Sequence, residues 1–262
     1  MTYTETDLLT TIDRLYDGAG PASGWTPEAL AALDQFHAGG DEAVDRLAAT
    51  LAVGPGDRVL DVGSGLGGPA RHLAASTGCQ VVGVDITGAY VEAARGLTAR
   101  CGLDDRVRFE HVDVADLVVD TPFDAALTMH VQMSVVDKAA WFGRIADRVA
   151  TGGRLAVWEV CRTGEAQPPW PMPWSLDGSD SHLVTADTLV EDIAAGGFAV
   201  EEWVDETDWV ASWFESRFAD GPPTAPSLPM LLDDGFTRTL QFAVAVADGT
   251  LAVRRGAFVR VG

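Results

Sequence analysis

Between residues 57 and 160, short β-branched apolar runs alternate with alanine-rich stretches whose apolar positions recur at helical spacing. That alternation is the pattern of a mostly parallel sheet covered by helices on both faces, an α/β architecture. It predicts strands at residues 58–62, 80–86, 107–112, 123–129 and 154–160. Helices over 69–76, 90–101 and 138–150 fill the intervals, and Gly78, Gly102 and Gly152 follow them where a left-handed residue closes a helix. Pro69 opens the first of these helices, a position where a missing N–H costs nothing. Upstream, 4–16 and 27–36 read as helices separated by Asp17-Gly18-Ala19-Gly20-Pro21, so residues 1–50 form a helical cap on a core of residues 51–262. Downstream, 163–184 is irregular but apolar enough to lie pinned on the core. A helix at 187–195, a strand at 199–204 and a final strand at 251–261 complete the pattern. The insertion at 207–248, two helical runs around Gly221-Pro222-Pro223, is placed to act as a lid.

Composition narrows the function classes. With 262 residues and 47% hydrophobic content, the chain can bury a sizeable core and is not disordered. Asp and Glu number 39 against 18 Lys and Arg, a net charge of −21, and Lys138 is the single lysine. Nucleic-acid binding needs basic groups on phosphate, so it is excluded, and the acidity reads as a solvated, self-repelling surface. Cys79, Cys101 and Cys161 make no C-x-x-C pair and are odd in number, so neither a disulfide framework nor a cysteine metal site is expected. No basic start with an apolar run opens the chain, and no stretch has bilayer length, so the expectation is a cytoplasmic protein with no membrane partner.

The sharpest local signal is Asp61-Val62-Gly63-Ser64-Gly65-Leu66-Gly67-Gly68-Pro69, a strand running into a glycine-rich turn and then a helix. Gly63, Gly65 and Gly68 also satisfy G-x-G-x-x-G, so the spacing alone fits a dinucleotide as well. Three strand-end acids sharpen the choice. Asp61 precedes the glycines and suits an ammonium, which a nicotinamide cofactor does not bring. Asp85, 22 residues after Gly63, suits two ribose hydroxyls, and Asp113 suits an exocyclic adenine amine. Together they describe a nucleoside with an amino-acid tail, bound outside the carboxyl ends of the strands.

In order, Leu60-Asp61-Val62-Gly63-Ser64-Gly65, Gly83-Val84-Asp85, Asp113, Phe123-Asp124 and Thr151-Gly152-Gly153-Arg154-Leu155 resemble the class I S-adenosylmethionine-dependent methyltransferases. Asp34-Gln35-Phe36-His37 with Gly39-Gly40, His130-Val131-Gln132-Met133 with Asp137-Lys138, and Met172-Pro173-Trp174 look like the small-molecule branch that includes sarcosine and dimethylglycine N-methyltransferases. Ser134-Val135 stand where that branch has Asn-Ile, so acceptor contacts differ there. The resemblance implies a Rossmann-like seven-stranded sheet whose last strand is antiparallel, with S-adenosyl-L-methionine as cofactor and a small-molecule acceptor. It implies that Asp61, Gly63, Ser64, Gly65 and Gly67 hold the methionine end, Asp85 and Ile86 the ribose and adenine, and Asp113 and Val114 the adenine edge. Gln35 and His37 would close over the site, with Met129 to Met133 beside the sulfonium.

A sulfonium methyl is already electrophilic, so the protein has chiefly to align an acceptor lone pair and take a proton, with no metal. His130, after the fourth strand, is the first candidate base and reads equally as a positioning group; His37 is the second and reads more readily as a positioning group. Gln132, Trp158 and Trp174 are candidate acceptor contacts, the tryptophans by offering aromatic faces to a cation. Glu159 reads as a solvated or salt-bridged rim carboxylate, Arg71 as cover for the sheet edge, and His72, His111 and His182 as structural. Two other functions stay open at this stage: a cyclase that binds the same cofactor without methylating, and a nicotinamide oxidoreductase. The second lacks a Tyr-x-x-x-Lys.

Overall fold

The computed structural model describes residues 8–262 except Asp220 and Pro222. In β1 (Arg58–Val62) Val59 packs into one apolar cluster and Leu60 into another, so the strand is apolar on both faces and needs cover on both. Six further strands share this sheet: β2 (Gln80–Asp85), β3 (Val107–His111), β4 (Phe123–Met129), β5 (Val149–Arg162), β6 (Phe198–Asp205) and β7 (Leu251–Arg260). Their spatial order is β3-β2-β1-β4-β5-β7-β6, parallel throughout except β7, which runs antiparallel to both neighbours. The chain reverses direction of travel between β1 and β4, which opens a crevice beyond their carboxyl ends.

One face of the sheet is covered by α3 (Gly40–Leu51), α4 (Gly68–Thr77), α5 (Gly88–Arg100), α8 (Thr207–Phe218) and α9 (Gly235–Ala247). The other carries α6 (Lys138–Ala146) and α7 (Ala186–Ala195). The cap helices α1 (Leu8–Leu15) and α2 (Pro27–Asp34) pack on α5 through Ile12, Leu30, Leu33 and Leu97. Thr26 starts α2 by accepting the Ala29 N–H, with Pro27 in the first turn. The first four residues of the helix read at 4–16 lie outside the described residues.

Two elements depart from the sequence pattern. The helix read at 138–150 ends at Ala146, because the Phe123 N–H donates to the Arg148 carbonyl and draws the chain into β5. Helix α3 is absent from the sequence reading, since Gly39-Gly40 looks like a breaker. Both glycines do adopt positive φ, +96° and +53°, and the helix starts there, held by Ala43, Val44, Leu47 and Leu51 on its buried face. The irregular 163–184 segment is tied to the insertion by Arg238 of α9, fully buried, which donates to the carbonyls of Met172 and Pro173.

Candidate active site

A cavity of about 770 Å³ lies at the carboxyl ends of β1, β2 and β4. Its floor is the glycine loop. The N–H groups of Gly63 and Ser64 both donate to the Val84 carbonyl, at 2.8 and 3.1 Å, which folds the loop back on β2. Gly63 has φ +77°, and a Cβ there would meet Val131 at 2.5 Å, so the loop passes the β4 turn at a distance only glycine allows. Asp85 accepts the Gly65 N–H at 2.9 Å and the Thr87 N–H at 2.8 Å, one on each carboxylate oxygen. The Thr87 side chain bonds the same carboxylate.

Asp61 is 2% exposed, lines the cavity, and its Oδ2 has no partner. Burial, and then the neighbouring Asp85, push its carboxyl up to about 7. A buried carboxyl with an open oxygen fits a cation, and the ammonium of an amino-acid tail supplies one. Ile86, an aliphatic side chain left 57% exposed, forms the wall beside Asp85, and Val114 sits buried opposite the end of β3. Asp113 accepts the Ala115 N–H at 2.8 Å in the turn between them. These residues, with Ser64, Gly65, Met129, Gln35 and His37, all line the one cavity. Gly67 does not reach it and instead begins α4 with φ +77°.

His130 follows β4 with φ +55°, a left-handed conformation that histidine adopts only rarely. Its ring lines the cavity and its Nε2 is buried without a partner. Burial, with His37 beside it, holds its pKa well below the usual histidine range, so the ring is neutral. The turn is held by Glu159, whose carboxylate accepts the N–H of Val131 at 3.1 Å, the N–H of Gln132 at 3.3 Å and the Thr128 hydroxyl at 3.2 Å. Glu159 is 0% exposed, and burial pushes it up to about 8. It is therefore no rim carboxylate: β5 runs on to Arg162, which puts Glu159 inside the sheet between β4 and β7.

His37 has both ring nitrogens occupied, Nε2 at 2.8 Å from Gln35 Oε1 and Nδ1 at 3.1 Å from the Ala38 carbonyl. Burial lowers it to about 4. Both of its nitrogens are thus engaged within the cap, and its ring centre lies 6.2 Å from that of His130. Arg71 covers no sheet edge. It is fully buried, pairs with Asp34 at 2.7 Å, and donates to the Leu66 carbonyl at 2.6 Å and to Thr98 at 3.0 Å. The pair joins the end of α2 to the glycine loop, and burial raises Asp34 to about 6.

Of the three candidate acceptor contacts, only Trp174 lines the cavity. Trp158 is fully buried against Trp209, ring centres 5.8 Å apart, and Gln132 is fully buried with its amide donating to the Val160 carbonyl. Trp158 lies inside β5, and Gln132 opens the 3-10 turn after β4, each with its side chain turned into the core. Phe214 and Phe242, unremarked in the sequence, stand in the cavity wall with Trp174 and Trp213. Their signal was the aromatic density of the inserted segment.

Residues 59–153 match the family of the methyltransferase domain. S-adenosylmethionine is the cofactor of this family. Methyltransferase GfsG of Streptomyces halstedii is 32% identical over 142 residues, 54% of this chain and 51% of the relative. The 27-O-demethylrifamycin SV methyltransferase of Amycolatopsis mediterranei is 35% identical over 114 residues, 43% of this chain and 42% of the relative. The chain thus spans about half the length of these two relatives or less. The structure of geranyl diphosphate methyltransferase in complex with SAM superposes with a TM-score of 0.67 at 22% identity, covering 84% of this chain and 85% of that one. The fold is the Rossmann-like methyltransferase fold, with its seven strands and antiparallel last strand.

Proposed function

We propose that this chain transfers a methyl group from S-adenosylmethionine to a small-molecule acceptor. The observation that carries the reading is the unpartnered, buried Asp61 oxygen in the same cavity as the unpartnered Nε2 of His130. When bound, the cofactor supplies an electrophilic methyl on a sulfonium. Asp61 would hold its ammonium, Asp85 its ribose hydroxyls, Ile86 and Val114 its adenine faces, and Asp113 the adenine amine. Gln35 and His37 close the site from the cap and keep water out. His130 Nε2, neutral and facing no competing donor, accepts the proton that the acceptor gives up. Glu159 keeps that nitrogen in place through the Val131 and Gln132 amides. The name of one relative, a 27-O-demethylrifamycin SV methyltransferase, supports an acceptor from secondary metabolism.

Calorimetric titration with S-adenosylhomocysteine and with NAD tests the cofactor, and formation of S-adenosylhomocysteine on a panel of acceptors tests the reaction. Binding of S-adenosylhomocysteine but not NAD is expected. NAD binding without S-adenosylhomocysteine binding overturns the reading, and cofactor binding with no turnover on any acceptor turns it toward a cyclase.

A further inference from the structure

We propose that Asp41 is a positioning residue of the cap: one proton, shared between Asp41 and His37 across the Gln35 amide, decides which ring nitrogen of His37 carries hydrogen and whether His37 stays pinned over the cavity. The proton sharing rests on hydrogen-bond geometry, and its effect on cofactor binding rests on the cofactor placement above.

A run of contacts leads from the first turn of α3 into the cavity wall. Asp41 Oδ1 lies 3.3 Å from Gln35 Nε2, Gln35 Oε1 lies 2.8 Å from His37 Nε2, and His37 Nδ1 lies 3.1 Å from the Ala38 carbonyl oxygen. Gln35 and His37 are 5% and 7% exposed and line the cavity, whereas the Asp41 side chain is 26% exposed, so solvent reaches the run at one end. With the amide in this orientation both His37 nitrogens face oxygen acceptors, and a neutral imidazole can donate to only one of them. All three contacts are satisfied together only when the run carries one extra proton.

On His37 that proton makes a buried imidazolium whose two partners, an amide oxygen and a carbonyl, are uncharged. On Asp41 it lets the carboxyl donate to the Gln35 oxygen once the amide turns over, and an amide has the same outline either way round. The Gln35 N–H then donates to His37 Nε2, and the Nδ1–H donates to the Ala38 carbonyl. Burial lowers His37 to about 4 and raises Asp41 above the ordinary carboxylate range, so the proton belongs on Asp41. Asp41 is faced by Glu28 and Asp34 of α2, Asp45 of its own helix, His72 of α4 and Arg217 of α8. His37 is faced by His72 and by His130 after β4.

Loss of the proton to solvent turns the amide back. Its N–H donates to the Asp41 carboxylate, and the 2.8 Å contact, the shorter of the two at the ring, takes the histidine hydrogen on Nε2. The ring exchanges its Nδ1 hydrogen for one on Nε2 and stays neutral, so the net change is one proton lost from the carboxyl. The Nδ1 lone pair is left against the Ala38 carbonyl, which unpins His37 beside Gly39 and Gly40.

Asp41→Asn separates this from a merely structural contact, because its amide N–H donates to the Gln35 oxygen at every pH and completes the run with no extra proton. Nitrogen-15 NMR of the histidine rings in protein without cofactor reads the tautomer, with the His37 signals identified by their loss in His37→Gln. At pH 8 the wild type should show His37 as the Nε2–H tautomer and Asp41→Asn as Nδ1–H, and the wild type should shift toward Nδ1–H as pH falls to 5. The same tautomer in both proteins at pH 8, or a His37 imidazolium in the wild type at pH 6 or above, overturns the proposal. In calorimetric titrations with S-adenosylhomocysteine, the affinity of the wild type relative to Asp41→Asn should fall about two- to tenfold from pH 5 to pH 8, the worth of one hydrogen bond. Asp61 titrates in both proteins alike and cancels in that ratio. An unchanged ratio overturns the pinning of His37 over the cavity. If S-adenosylhomocysteine binds neither protein while the tautomers differ, the cofactor placement falls and the proton sharing stands.

Discussion

His130 combines a strained backbone, φ +55°, with an open Nε2, and the two properties can be separated by substitution. Asparagine tolerates the left-handed region but is no base. His130→Asn should lower kcat by about 10²- to 10⁴-fold, the usual worth of a general base, while leaving the KM for cofactor nearly unchanged. Because burial holds this histidine well below 6.5, the acid limb of the kcat/KM profile should stay flat as pH falls through 6.5. Asp61→Asn should weaken S-adenosylhomocysteine by about 1.5–3 kcal/mol, the worth of hydrogen bonds to a charged group, read by calorimetry. Asp61, Asp85 and Asp113 were legible in the sequence because strand ends in this topology converge on one crevice. Glu159 and Arg71 were not, since nothing local distinguishes a buried carboxylate or guanidinium from a solvated one. Their burial comes from β5 overrunning its predicted end and from α2 folding over the loop.

Among the elements, the least legible was the join between cap and core. The strands followed from β-branched runs and glycine punctuation, and β1 and β4 ended where the pattern placed them. Helix α3 hid behind Gly39-Gly40, whose positive φ values belong to its entry rather than to a loop. The join itself rests on the Asp34–Arg71 pair, both side chains no more than 1% exposed. Asp34→Ala would strand a buried guanidinium, and the expected loss is about 3–5 kcal/mol in urea unfolding. The same variant should weaken S-adenosylhomocysteine binding, since Arg71 also grips the Leu66 carbonyl of the loop.

For the whole molecule, three buried carboxyls set one pH trend. Asp34, Asp61 and Glu159 are raised to about 6, about 7 and about 8. Between the ordinary carboxylate range and these values the folded state binds more protons than the unfolded one, so stability falls as pH rises through that window. The melting temperature should therefore drop from pH 5 to pH 8, and Glu159→Gln should flatten the upper part of the slope. The carboxylates held low, Glu202 by Arg255 and Asp205 by the Thr207 hydroxyl and N–H, act with the opposite sign but at more acid pH. A net charge of −21 adds self-repulsion in the same sense, so added salt should recover part of the loss.

Trp174, Phe214 and Phe242 of the cavity wall all lie beyond the 59–153 stretch, whereas His130 and the three strand-end aspartates lie within it. On the proposed reading, chemistry and taste are thus encoded in separate blocks of the gene. Exchanging residues 163–184 and 207–248 between homologues should then produce chimaeras that retain the same methyl donor while accepting new molecules, which makes this architecture a natural chassis for diversification.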